Sequence, residues 1–156
     1  MTRDVRWLSE AEREAWLATA ALMVALPGAL DAQLHADSGI SFFEYMVLAV
    51  LAEQPDRTLQ MSDIAAFASG SLSRLSHTAK RLEQHGYLSR SPVPGPGRRT
   101  NATLTDTGYT KVVQAAPGHV AEVRRLLIDN ISAADLAALA RVGHAVMDHL
   151  GQECPG

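Results

Sequence analysis

A single cysteine, few aromatic side chains, no overall basic excess and no apolar run as long as a membrane span: this 156-residue sequence is first marked by what it lacks. Cys154 stands alone, so one chain forms neither an internal disulfide nor a cysteine-based metal site. That usage fits a reducing, cytoplasmic setting. The tail around it, residues 152–156, offers no basic or helix-start environment to activate a thiol, so no redox role is assigned. The six histidines form no His-Glu-x-x-His pattern, and neither a phosphate-binding glycine loop nor a nucleophile elbow is present. No catalytic residue, metal ligand or cofactor site is therefore expected, and the chain does not read as an enzyme.

The longest uncharged stretch, residues 15–30, is sixteen residues and contains Pro27-Gly28. A transmembrane helix needs about 20. The stretch before it holds Arg3, Arg6 and Arg13 against Asp4, Glu10, Glu12 and Glu14, whereas a signal peptide needs a positive start. No membrane association is expected. A helix this apolar is instead predicted to be buried, within the domain or against a second subunit. With 47% apolar and 20% charged residues, the chain has the balance of one folded soluble domain.

The net charge of −3 conceals a strong division. Residues 71–99 hold Arg74, Lys80, Arg81, Arg90, Arg98 and Arg99 against Glu83 alone, a net of +5, so the rest of the chain carries −8. A basic island on an acidic body is the footprint of a surface that meets phosphate.

Helix signals recur along the chain. Ser9 with Glu12 reads as a capping box for a first helix to about His35, which Pro27 should kink or divide. Ser41 is placed to cap a second helix to about Ala52, with Phe42, Tyr45, Met46 and Ala49 on one face. Thr58 to Gln60 reads as a minor strand, and Ser62 as the cap of a brief helix reaching Ala68. After Ser69-Gly70, Ser71 is expected to cap a helix over 72–85, making a helix-turn-helix. Its wheel sets Leu72, Leu75, Ala79 and Leu82 on one stripe, and Arg74, His77 and Arg81 opposite, flanked by Ser73 and Gln84. Such a helix packs by its back and offers donors to a major groove.

Gly86 ends that helix, and residues 87–91 and 101–105 read as a strand pair. The loop between them is dense in proline and glycine and carries Arg98 and Arg99, an arginine-bearing tip suited to backbone or minor-groove contact. Thr105 or Asp106 should cap a long helix to about Asp129, and Ser132 a last helix to about Leu150 with Leu136, Leu139, Ala140, Val142 and Val146 among its apolar positions.

With these elements in order, the sequence resembles the MarR family of bacterial regulators. The likeness rests on Phe43-Glu44-Tyr45-Met46-Val47-Leu48, on 71–86 with its ending Arg81-Leu82-Glu83-Gln84-His85-Gly86, on the arginine wing, and on Leu104-Thr105-Asp106-Thr107-Gly108. It implies a mainly α fold with a small β-hairpin wing: a winged helix-turn-helix over 41–108, an N-terminal dimerisation helix over 1–40 and C-terminal dimerisation helices over 109–156. It further implies a homodimer on double-stranded DNA, a pseudo-palindromic operator, usually repression, and release by small aromatic acids or phenols. Ser71, Ser73, Arg74 and His77 fall at recognition-helix positions and Arg98 on the wing arginine, with Lys80, Arg81 and Arg99 completing the expected DNA face. Wings of the family commonly carry Asp two residues before that arginine; here Pro96 stands there.

Trp16, His35, Phe42, Phe43, Tyr45 and Met46 are expected to gather where the first two helices meet, as walls for an aromatic effector or simply as core. A regulator without an effector, or a winged helix that binds only protein, are the alternative readings.

Overall fold

Hydroxyl side chains start five of the helices, each accepting a bond from a backbone N–H of the first turn. In the computed structural model, which describes residues 5–68 and 71–151, the caps are Ser9 for α1 (Glu10–Ser38), Ser41 for α2 (Phe42–Ala52), Ser71 for α4 (Leu72–Gln84), Thr105 for α5 (Asp106–Leu126) and Ser132 for α6 (Ala133–His149). Ser9, Ser41 and Ser132 close full capping boxes with Glu12, Glu44 and Asp135. The short α3 (Met61–Phe67) is the exception: Gln60 precedes it without a side-chain cap, and Ser62 lies inside the helix rather than at its start. The turn expected at Ser69-Gly70 and the lone Cys154 lie outside the described residues.

Three strands form one antiparallel sheet in the order β1 (Thr58–Gln60), β3 (Thr100–Leu104), β2 (Leu88–Pro92). The β2–β3 pair is the wing hairpin, with Arg90 opposite Ala102 and Pro92 opposite Thr100. The pattern is winged helix-turn-helix, mainly α as expected.

Pro27 does not divide α1, nor Pro117 α5; both helices continue through them. Each proline removes one backbone donor, and both residues sit on exposed faces where water reaches the freed carbonyl. Gly39, at φ 67°, closes α1, and Gly86, at φ 74°, follows α4, each in the left-handed region that glycine adopts without strain.

The core is built around α2, which buries residues on nearly all sides rather than on the single face that its aromatic spacing suggested. Val47, Leu48 and Leu51 meet Leu34 of α1, Ile64 of α3, Leu75 and Leu82 of α4, and Leu88 and Leu104 of the wing base. Each fully buried leucine contributes about 1.5–3 kcal/mol. Leu72, expected on the core stripe, is instead 54% exposed, because the first residue of α4 lies beyond the edge of that core.

The outer helices behave differently. α6 buries none of its residues, and Leu139, Val142, Val146 and Leu150 are exposed, as are Leu22, Met23 and Val24 on α1. At 29 residues α1 is also longer than its uncharged run suggested, long and apolar enough by length and composition alone to cross a membrane.

Gly108 shows why the stretch after the wing tolerates so little. It sits in the first turn of α5, where its N–H donates to the Thr105 hydroxyl, and that hydroxyl donates to the Gly86 carbonyl. A Cβ there would lie 2.0 Å from the carbonyl oxygen of Tyr87, which is backbone and cannot move aside alone. Gly108→Ala should therefore destabilise the fold by about 3 kcal/mol, the upper part of the overpacking range. Urea unfolding with a midpoint equal to that of the unsubstituted chain would show that the contact relaxes freely.

Candidate nucleic-acid interface

The amphipathic α4 buries Leu75, Ala79 and Leu82 and leaves Ser71, Ser73, Arg74, His77, Lys80 and Arg81 exposed. These are the residues expected to face DNA, yet the structure divides them. Ser73, His77 and Lys80 occupy the side of the helix opposite the core stripe. Arg74 and Arg81 lean toward α2, where two consecutive residues receive them. The Arg74 guanidinium lies 4.4 Å from the Phe43 ring centre, a cation–π contact. Arg81 donates through Nε to Glu44 Oε1 at 2.6 Å and through Nη2 at 2.5 Å.

Glu44 is 4% exposed. Its second oxygen accepts the Ser41 backbone N–H at 2.7 Å, so one carboxylate both caps α2 and ties α4 to it. Arg81 thus has a structural partner that its place on the helical wheel did not disclose. A glutamate three residues after Ser41 is the spacing of a capping box, and that spacing carries no sign of a partner on α4.

In the same last turn of α4, Glu83 accepts the Arg90 backbone N–H at 2.9 Å through Oε1, and Arg90 Nη2 and Nε at 3.0 and 3.3 Å through Oε2. The backbone donor first, and the guanidinium second, hold the Glu83 carboxyl below its ordinary range. Of the six cations in residues 71–99, Arg81 and Arg90 are therefore neutralised and Arg74 is stacked. Among the described residues, Lys80, Arg98 and Arg99 enter no ion pair. Arg98 and Arg99 are exposed and border a cleft of about 150 Å³ between wing and helix, with Leu72 and Ser76 on its helix side.

A larger cavity, about 620 Å³, opens between α1, α2 and α4. Phe42, Phe43, Met46 and Phe67 supply apolar walls, Asp31 and Arg74 opposite charges. Asp31 Oδ1 also accepts the Phe42 backbone N–H at 2.8 Å. Of the six residues expected at an effector site, only Phe42, Phe43 and Met46 line this cavity. Trp16 is 53% exposed nearer the start of α1, His35 is exposed and bonds Asp31, and Tyr45 turns toward His119 of α5. Tyr45 and Met46 share the broad apolar side of α2, but consecutive helical residues diverge by about 100° at about 3.6 residues per turn, so only Met46 reaches the cavity. Arg74, Asp31 and Phe67 were missed because they come from segments distant in sequence.

Behind Phe42 lies His119 of α5, 8% exposed, its ring 4.5 Å from that of Tyr45 and 5.9 Å from that of Phe42. Its Nδ1 has no partner among the described residues.

A helix-turn-helix with an exposed polar face beside an arginine wing defines a winged-helix DNA-binding protein. A family model of the MarR family matches residues 38–99. The chain is 36% identical to Sco3205, a MarR family transcriptional regulator of Streptomyces coelicolor whose structure was solved in complex with DNA; the match covers 94% of this chain and 92% of that one at a TM-score of 0.88. It is 33% identical to AbsC, a MarR family transcriptional regulator from the same organism, over 95% of this chain and 100% of that one, TM-score 0.84. It is also 38% identical over 55 residues to the HTH-type transcriptional regulator PecS of Dickeya dadantii, a segment spanning 35% of this chain and 33% of that relative. The chain belongs to the MarR family of transcriptional regulators.

Two outcomes follow from this geometry. Arg81→Ala leaves the Glu44 carboxylate buried and half satisfied, and should cost about 1.5–3 kcal/mol; adding Glu44→Gln should recover part, since no unpaired charge remains. Denaturant unfolding of the two variants beside the unsubstituted chain measures this, and an unaltered Arg81→Ala midpoint would count against it.

Burial pushes the His119 imidazole down from its ordinary value, so the folded state favours the neutral ring. Its contribution is complete above about pH 6.5, where the unfolded ring titrates, and is lost as pH falls through the lower folded value. His119→Phe keeps the ring packing and removes the proton, so its stability should fall less between pH 7.5 and 5. Parallel stability curves would exclude the effect.

Proposed function

We propose that this protein is a cytoplasmic repressor that binds a pseudo-palindromic operator as a homodimer and leaves it when a small aromatic or phenolic anion enters the α1–α2–α4 cavity. The observation that carries the DNA reading is α4, held to the core by Leu75 and Leu82 and to α2 by Arg81, with Ser73, His77 and Lys80 exposed beside the arginine wing. In a two-fold dimer, two such helices enter successive major grooves about 34 Å apart. Ser71, Ser73, His77 and Arg74 are the proposed base-reading and positioning residues, and Lys80, Arg98 and Arg99 the phosphate and minor-groove contacts. Arg81 contributes to DNA only from a guanidinium already committed to Glu44.

Residues 1–40 and 109–156 are the proposed dimerisation segments flanking a reading region over 41–108. The exposed apolar residues of α1 and α6 support this, because a second copy would cover them and a patch of that kind rarely stays open on a monomer. The same cover accounts for the apolar length of α1 without a bilayer.

The effector reading is favoured by Arg74. It is the one recognition-helix residue that also lines the cavity, where its guanidinium and the Phe42, Phe43 and Met46 walls suit the carboxylate and ring of an aromatic acid. An anion pairing with Arg74 would draw the start of α4 toward α2.

Selection of bound fragments from random DNA tests the main reading. Enriched sites should show inverted repeats, and sedimentation should give a dimer. Arg98→Ala with Arg99→Ala should weaken binding to all sequences and flatten the salt dependence, whereas His77→Ala should alter the preferred bases. Salicylate-type acids should release DNA from the unsubstituted protein, and calorimetry without DNA should show their binding lost in Arg74→Ala. Failure to retain any duplex at low salt would overturn the repressor reading; acid binding that ignores Arg74 would overturn the effector reading alone.

A further inference from the structure

We propose that Glu83 is the positioning residue of the wing, fixing the base of the β2–β3 hairpin to α4 so that Arg98 and Arg99 approach DNA at a set angle. The inference rests on the DNA-binding reading and adds a specificity determinant to it. Its starting point is a charge anomaly: Glu83 is the single acidic residue in the basic window 71–99, where a negative charge opposes phosphate. Its carboxylate engages both the backbone and the guanidinium of one residue, Arg90, in the middle of β2. A bond to a backbone N–H fixes the strand itself, not merely a side chain.

Further out, among the described residues, no ion pair holds the wing. Beyond Arg90 the hairpin keeps Ser91 opposite Asn101, which also pairs with Gln60 of β1, then Pro92 opposite Thr100, and Val93 N–H donating to the Arg99 carbonyl at 2.9 Å. The tip then runs through Pro94, Gly95, Pro96 and Gly97, with Gly95 and Gly97 at φ 113° and 91°. From Arg90 to Val93, whose N–H meets the Arg99 carbonyl, is about three residues, a lever of about 10 Å at about 3.3 Å per residue. A swing of about 10° at the base then moves the arginine backbone by about 1.7 Å, enough to lose a hydrogen bond whose length tolerance is a few tenths of an ångström. The direction of the arginines is therefore set at the root of the hairpin, where β1 holds β3 and the α4 contact holds β2.

The pair also withdraws Arg90 from phosphate, and this gives the proposal a signature that a merely structural role lacks. Glu83→Ala removes both acceptor oxygens, frees the Arg90 charge and takes a negative charge from the DNA face. Selected operator should bind about tenfold more weakly, because the wing is no longer aimed. Random duplex should bind as well as before or severalfold better, because one more cation is available. In the Arg98→Ala, Arg99→Ala background, Glu83→Ala should no longer weaken operator binding, since there is nothing left to aim. Glu83→Gln, which keeps an acceptor for the Arg90 backbone N–H, should lose less operator affinity than Glu83→Ala. Thermal unfolding of each variant controls for the fold, and affinities are compared at equal folded fraction.

Equal losses on operator and random duplex, an unchanged operator affinity, or full additivity with the wing variants would each overturn the proposal. Absence of DNA binding by the unsubstituted protein would instead overturn the reading on which it rests.

Discussion

The buried carboxylate of Glu44 is the interaction on which the reading head depends. Burying a charge is costly unless it is paired and its lone pairs are met, and Glu44 meets the condition twice, with the Ser41 N–H on one oxygen and Arg81 on the other. The arrangement joins the start of α2 to the last turn of α4 by bonds that have direction, which apolar packing lacks. Leu75 and Leu82 determine that α4 lies on the core. Glu44 determines how it is turned, and hence which residues face outward.

The same short segment governs the cavity. Four consecutive residues have distinct duties: Ser41 caps α2, Phe42 donates to Asp31 and forms a wall, Phe43 underlies Arg74, and Glu44 holds Arg81. A movement of this turn therefore reaches two arginines of the recognition helix at once. Coupling between a cavity and a distant surface requires an element that both bias. Here the surface and the cavity share the element directly.

The fold was legible in the sequence wherever a local signal had no competitor. Serine and threonine caps, the glycines after α1 and α4, and the proline-rich wing each announce a boundary through backbone chemistry alone. Misreadings arose where tertiary contacts decided. Ser62 looked like a cap, but α3 begins one residue before it, at Met61, directly after β1. Leu72 fitted the apolar stripe by angle, yet a stripe does not reveal where the core ends. Arg81 and Arg90 counted as free charge because their partners, Glu44 and Glu83, become partners only once α2, α4 and β2 are packed. The cavity was half legible for the same reason: Phe42, Phe43 and Met46 share a helix, whereas Asp31, Phe67 and Arg74 converge from three others.

This reassignment of charge changes what a single chain can do. A window of net +5 suggested a strong electrostatic footprint, but two of its cations serve internal pairs and a third lies over an aromatic ring. Among the described residues, Lys80, Arg98 and Arg99 remain outside ion pairs, against a body that is strongly acidic. Salt dependence grows with the number of phosphates neutralised, so one copy of this surface would hold DNA weakly at physiological ionic strength. In the proposed dimer two copies would double the contacts and bind as one body, the second engagement being intramolecular. The unburied apolar faces of α1 and α6 and the sparse free charge of α4 and the wing thus favour the same arrangement. A second copy would give those faces a packing partner and that surface the charge one chain lacks.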